Sequence, residues 1–206
     1  MVDIPDAHPR KDSLLARKKI VEASTDGLLA ASAMIAHGRG EAFDYLLGEK
    51  TTDSARLAIR EVAARLLDSD NPVISVNGNT VVLAGKELVR VATVLSCPIE
   101  VNLYYRTPER VSGLLALLEK QRHIVSKESG PEGFDGDWGK AVGEVGFLGE
   151  DPDYRIEGLE GPRSLCTEVG IGSADSILVP LEDGDRCQAL VRLGNCLLYT
   201  TDAADE

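Results

Sequence analysis

The strongest constraint on the fold is an alternation of two periodicities after residue 50. Residues 51–68, "TTDSARLAIREVAARLLD", put Ala55, Ile59, Val62 and Leu66 on one face of a 3.6-residue period, behind Thr52 as a helix N-cap. "NPVISVNGNTVVL" follows, and its run from Val73 to Val76 is apolar on both faces. Asn77-Gly78-Asn79 reads as the turn that ends a buried strand of a parallel sheet. "GKELVRVATVLS" reads as a helix and "IEVNLYY" as a second strand. "TPERVSGLLALLEKQR" is a helix with Thr107 as N-cap, Pro108 at the first helical position and Glu109 where the helix dipole favours an acid. "ADSILVPLEDGDRCQALVRLG" is a strand, a polar turn and a helix. An earlier helix spans 12–24, with Leu14, Leu15, Ile20 and Val21 in helical spacing. Strands alternating with helices predict an α/β fold, with a mainly parallel sheet flanked by helices on both faces.

In such sheets ligands bind beyond the carboxyl ends of the strands. Three polar segments fall there: Asn77-Gly78-Asn79, Asn102 to Arg106, and Glu182 to Arg186. Each alone is an ordinary turn or a solvated loop. Three at equivalent positions favour one shared pocket. A fourth segment, "IAHGRGEAFDYLLGEK", sets His37, Arg39, Glu41 and Asp44 around Gly38 and Gly40. It reads either as a glycine turn that meets a charged ligand just before a helix, "EAFDYLL", or as a connecting loop with solvated charges. Residues 124–153, rich in Gly and acids, read as a surface insertion that Trp138 pins to the body.

Composition removes several classes. No apolar run approaches the roughly 20 residues of a membrane helix, and the polar start "MVDIPDAHPRKDS" is not a signal peptide. Cys97, Cys166, Cys187 and Cys196 form no CxxC pair, so neither a zinc site nor a disulfide framework is expected, and reduced thiols in a cytoplasm are. A net charge of −12 repels nucleic acid and anionic membranes, while local arginine clusters still allow an anionic small molecule. There is no GxxxxGK[ST] loop, no Gly-x-Ser-x-Gly elbow and no GxGxxG, which disfavours an ordinary nucleotide triphosphatase, a serine hydrolase and a dehydrogenase.

The segments "IPDAHPRKDSLLARKKIVE", "GLLAASAMIAHGRGEAFDYLLGEKTT", "PVISVNGNTVVL", "IEVNLYYRTPERV" and "ADSILVPLEDGDRCQALVRLG" together resemble the archaeal phosphopantothenate synthetase (4-phosphopantoate–β-alanine ligase) family. The resemblance covers nearly all of residues 3–195 apart from the glycine-rich segment. It implies a Rossmann-like fold, a homodimer, and a role in coenzyme A biosynthesis. The implied reaction joins 4-phosphopantoate to β-alanine and cleaves ATP to AMP and diphosphate, with no nucleic-acid or membrane partner. Two anionic reactants held together call for planar arginine forks and Mg²⁺. By the resemblance, Arg17 and Arg39 are ATP phosphate clamps. Asp183, Gly184, Asp185 and Arg186 match the family's nucleotide loop, the acids facing ribose or metal and Arg186 a phosphate. His37 either donates to a phosphate or is satisfied by a local carboxylate. Glu41 and Asp44 either hold Mg²⁺ or the β-alanine ammonium, or they orient Arg39 and cap the helix. Asn77, Asn79, Asn102, Tyr105 and Arg106 are candidates for phosphopantoate, and Arg10 either completes a phosphate pocket or is a surface arginine. The rival readings are a nucleotide- or phosphometabolite-binding module without turnover, and a kinase of the same pathway.

The final "CLLYTTDAADE" resembles the translation of a transposase adapter used in sequencing libraries. The expectation is that the protein's own sequence ends near Asn195, C-terminally truncated relative to the family, within a single domain over 1–195. The alternative is a short natural strand, "CLLY".

Overall fold

The computed structural model describes residues 4–149, 151, 153–181 and 184–199. Five strands form one all-parallel sheet in the order β3-β2-β1-β4-β5: β1 (Pro72–Val76), β2 (Ile99–Val101), β3 (Phe147–Leu148), β4 (Ser176–Val179) and β5 (Cys196–Tyr199). This is the Rossmann-like arrangement, in which chain direction across the sheet reverses between β1 and β4. One face packs Ile74, Val76, Ile99 and Val101 against helices α4 (Gly78–Leu95), α5 (Pro108–Val125) and α6 (Trp138–Glu144). The other packs Val73 and Ile177 against Ile156, Ile171 and Leu190, the last on α7 (Gly184–Val191). Before the sheet come α1 (Lys11–Thr25), α2 (Ala33–Leu46) and α3 (Asp53–Leu67). A small cluster of Ile20, Ala23 and Leu29 fastens α1 to α4.

Local chemistry explains the helix starts. Thr52 Oγ1 accepts from Ala55 N at 3.2 Å, and Thr107 Oγ1 from Arg110 N at 3.2 Å, as the sequence pattern requires. The expected apolar face of α3 is only partly used. Leu66 is buried, whereas Ile59 is exposed.

Four readings of the sequence differ from the structure. Asn77-Gly78-Asn79 is not a turn: Asn77 Oδ1 accepts from Thr80 N at 2.9 Å, so α4 begins at Gly78, seven residues earlier than expected. The β-branched Thr80 and Val81 remain helical because both are fully buried, and burial outweighs strand propensity. The second strand stops at Val101, and Asn102 N makes its last ladder bond, to Val76 O at 2.8 Å. Gly38 and Gly40 lie inside the continuous helix α2, where an added Cβ would meet nothing within 4 Å. They are interior helix positions, and the glycine turn with a separate "EAFDYLL" helix is not formed. Finally, the segment 124–153 read as a surface insertion supplies part of the core. Trp138, Val142 and Val145 are buried, Trp138 Nε1–H donates to Val125 O at 3.1 Å, and Phe147–Leu148 joins the sheet.

Residues 196–199 pair with β4 along its whole length.

Candidate functional site

The parallel sheet leaves a cleft of about 510 Å³ beyond the carboxyl ends of β1 and β2. Asn77, Gly78 and Asn79 form its base at the start of α4. Ile35, Ala36 and Arg39 of α2 form one wall. Leu103, Tyr104, Tyr105 and Arg110 form another, the last at the first turn of α5. Leu28 and Leu29 complete the apolar lining.

The loop after β4 is tied to this cleft. Asn77 Nδ2 donates to Leu181 O at 2.5 Å, and Thr80 Oγ1 donates to Pro180 O at 2.9 Å. Leu181 also lines the cleft and adopts φ 54, in the left-handed region. That conformation costs a non-glycine residue roughly 1–2 kcal/mol. The first turn of α4 therefore fixes the strained residue that leads into the polar loop after β4.

The electrostatics of the cleft oppose those of the molecule. The chain carries 34 acids against 22 Lys and Arg. Among the described residues the cleft is lined by Arg39 and Arg110 and by no carboxylate. Backbone N–H groups at the start of an α-helix add to the positive field. Arg110 is braced by a bond from Nη1 to Tyr105 O at 2.9 Å.

A second charged cluster joins α1 to α2. Glu41 is almost enclosed, with 5% of its side chain exposed. It accepts from Arg10 Nη2 at 2.5 Å, from Ser13 Oγ at 3.1 Å and from Arg17 Nη2. Tyr45 lies under Arg10, 6.0 Å from its ring centroid. Burial pushes the Glu41 carboxyl up, but hydrogen bonds from Arg17 and Ser13 and the charges of Arg17 and Arg10 outweigh it and hold the group below 4.5. His37, one turn before Glu41 on α2, is held below 6.5, chiefly by burial, with Arg17 assisting and Glu41 opposing.

The lowered Glu41 value has a defined sign. Its stabilisation is complete above the ordinary carboxylate value and is lost as pH falls through the lower folded value. Thermal melts from about pH 6 to about pH 3 are expected to show a steeper acid decline for the wild type than for Glu41→Gln. Parallel curves would show that the cluster contributes nothing to the acid limb.

The structure thus divides the residues singled out by sequence. Arg39, Asn77, Asn79, Asn102 and Tyr105 line the cleft together. Arg10, Arg17, His37 and Glu41 gather in or beside the α1–α2 cluster and do not line it. Asp44 is exposed on α2, and Arg106 is half-buried outside the lining. Gly184, Asp185 and Arg186 open α7, but the side chains of Asp185 and Arg186, and all of Asp183, lie outside the described residues. Among the described residues no group of three His, Cys, Asp or Glu side chains could hold a metal ion. Sequence reasoning did not single out Arg110 or Tyr104 as site residues, although Tyr104 falls in the segment Asn102 to Arg106 and Arg110 in an arginine cluster with Arg106. The signal for Arg110 was its place three residues after an N-cap, directly behind a strand's end.

Comparisons with known proteins agree with this arrangement. Residues 54–200 match the family model described as phosphopantothenate/pantothenate synthetase. A protein of Thermococcus onnurineus named 4-phosphopantoate–β-alanine ligase is 44% identical over 198 residues, covering 96% of this chain and 68% of the relative. The Thermococcus kodakarensis protein of that name is 46% identical over 194 residues, covering 94% and 67%. The Methanosarcina mazei one is 43% identical over 198 residues, covering 96% and 70%. With its parallel sheet, its arginine-lined cleft at the strand ends and these matches along most of its length, the chain belongs to the phosphopantothenate/pantothenate synthetase family.

Proposed function

We propose that this chain is an ATP-dependent ligase that condenses 4-phosphopantoate with β-alanine to 4′-phosphopantothenate, in coenzyme A biosynthesis. The observation that carries the reading is a cleft that, among the described residues, holds two arginines and no carboxylate, in a chain of net charge −12. Such a site gathers anions that the exterior repels.

A carboxylate is a poor electrophile, so it is activated first. A carboxylate oxygen of phosphopantoate attacks the α-phosphorus of ATP, forming an acyl-adenylate as the bond to diphosphate breaks. The neutral amine of β-alanine then attacks the acyl carbon. AMP leaves with the bonding pair, and the amine gives up its proton. No side-chain nucleophile is needed. Arg39 clamps phosphate where the two anions meet, so that repulsion between them is offset as charge builds at phosphorus. Asn77, Asn79, Asn102 and Tyr105 orient phosphopantoate. Arg17, half-exposed while paired with Glu41, has guanidinium N–H groups left for ATP. Arg10 and His37 support that side of the site through the same cluster. Asp183, Asp185 and Arg186 serve the nucleotide by family resemblance. Mg²⁺ would enter with the ATP phosphates and would need only one or two carboxylates of the chain, such as Asp183 or Asp185. When bound, the ion neutralises phosphate charge.

The reading includes a cytoplasmic homodimer. Phe43, Tyr45 and Leu46 on α2, and Leu57, Ile59 and Leu67 on α3, are large apolar residues left exposed, a pattern that suits burial by a second copy. Among the described residues no helix is long and apolar enough to cross a membrane. The four cysteines are thiols and not disulfides, which suits a reducing compartment.

The decisive assay follows AMP and diphosphate. Release of AMP, and of diphosphate beyond one equivalent per site, is expected only when ATP, 4-phosphopantoate and β-alanine are all present. ADP in place of AMP would identify a kinase. Ligand binding without either product would leave a binding module.

A further inference from the structure

The cleft asks for something that phosphate and carboxylate groups lack. Asn102, directly after β2, is 5% exposed. Its Nδ2 donates to Ser75 Oγ at 3.1 Å and to the Glu100 carbonyl oxygen at 3.3 Å. A carbonyl oxygen only accepts, so the amide orientation is fixed. Asn102 Oδ1 therefore faces the other way, is buried, and accepts no hydrogen bond. Its backbone N–H is spent on Val76 O at 2.8 Å, so the residue is pinned at both ends. Asn79 repeats the pattern: Nδ2 donates to Ala33 O at 3.1 Å, and Oδ1 is buried without a donor. An acceptor hidden from water without a donor is costly, and such atoms mark places where a ligand supplies the missing group.

We propose that Asn102 reads the free α-hydroxyl of 4-phosphopantoate and makes the cleft selective for branched α-hydroxy acids; this rests on the ligase reading above. The surroundings fit that molecule better than its co-substrates. Arg39 and Arg110 suit its anionic ends. Leu28, Ile35 and Leu103 suit its dimethyl carbon. The hydroxyl donates to Asn102 Oδ1. β-Alanine has a donor in its ammonium but no branch for the apolar wall, and ATP has donors only on its ribose and adenine, away from the triphosphate that two arginines would hold. Asn102 is thus a specificity residue that holds the hydroxyl next to the reacting carboxyl without taking part in bond making.

The test is titration calorimetry of 4-phosphopantoate and its 2-deoxy analogue against the wild type and Asn102→Ala. The wild type is expected to prefer the hydroxylated ligand by roughly ten- to hundredfold, the range for a hydrogen bond whose loss strands a buried acceptor. Asn102→Ala is expected to bind the two within about threefold, because no acceptor is left to discriminate. Equal binding by the wild type, no binding of 4-phosphopantoate, or an undiminished preference in the variant overturns the proposal. The wild-type comparison stands even if the variant folds poorly, which its circular dichroism spectrum would reveal. Selective binding without AMP release would refute the ligase reading alone, and AMP release without hydroxyl preference would refute the role of Asn102 alone.

Discussion

Arg39→Ala is expected to abolish most ligation while leaving the circular dichroism spectrum unchanged. Arg39 is an exposed helical residue whose side chain reaches the cleft, and alanine is the best helix former, so α2 loses nothing in its backbone. A charge-assisted hydrogen bond to phosphate contributes roughly 1.5–3 kcal/mol, which corresponds to roughly ten- to hundredfold in binding. The loss in kcat/KM is larger if the guanidinium acts mainly on the charge that develops at phosphorus. Arg39→Lys keeps the charge without the planar fork, so it falls between the two. Near-normal turnover by Arg39→Ala refutes the assignment.

The largest effect on stability is expected at Glu100. This residue sits in β2 with no exposed surface. Its carboxylate accepts from Thr167 N at 3.1 Å, Thr167 Oγ at 2.8 Å and Ile171 N at 2.9 Å. One side chain thus fastens the 165–173 segment to the sheet. Gly170 is shaped by the same contact, since a Cβ there would stand 2.1 Å from Glu100 Oε2. Glu100→Ala leaves buried donors without an acceptor and opens a void. The expected cost is roughly 3–4 kcal/mol. For a domain of this size that lowers Tm by roughly 6–16 °C. Glu100→Gln keeps the shape but turns one N–H group toward another, so its loss is smaller. A melt of Glu100→Ala within about 2 °C of the wild type would show that the tie is not structural.

What the sequence disclosed tracks how local the determining interactions are. The start of α5 was legible because Thr107, Pro108 and Glu109 act within one turn. The start of α4 was not, because an asparagine side chain closes a turn and caps a helix with the same short-range bond. Gly38 and Gly40 read as breakers, each costing a helix roughly 1 kcal/mol. The bonds from Arg10, Ser13 and Arg17 to Glu41 span 31, 28 and 24 residues, so what holds α2 in place was not visible in its own segment. Glu100 carried no signal, since its partners lie 67 and 71 residues away. Within the cleft, Arg39 and the three asparagines were legible because they sit at glycine-marked or strand-end positions. Arg110 was hidden by a complete local explanation as a helix residue.

The manner in which α2 is attached has a dynamic consequence. Beyond the enclosed Glu41 side chain and the partly buried Ala33 and Met34 it adds little to the interior, and its main packing is on α1 and α4. Segments with so little interior surface exchange their amide hydrogens through local opening at far lower cost than the sheet. Within a single protomer the helix bearing Arg39 therefore belongs to the less protected part of the fold, and an anion that grips Arg39 quiets it, so part of the intrinsic affinity is spent on stilling α2.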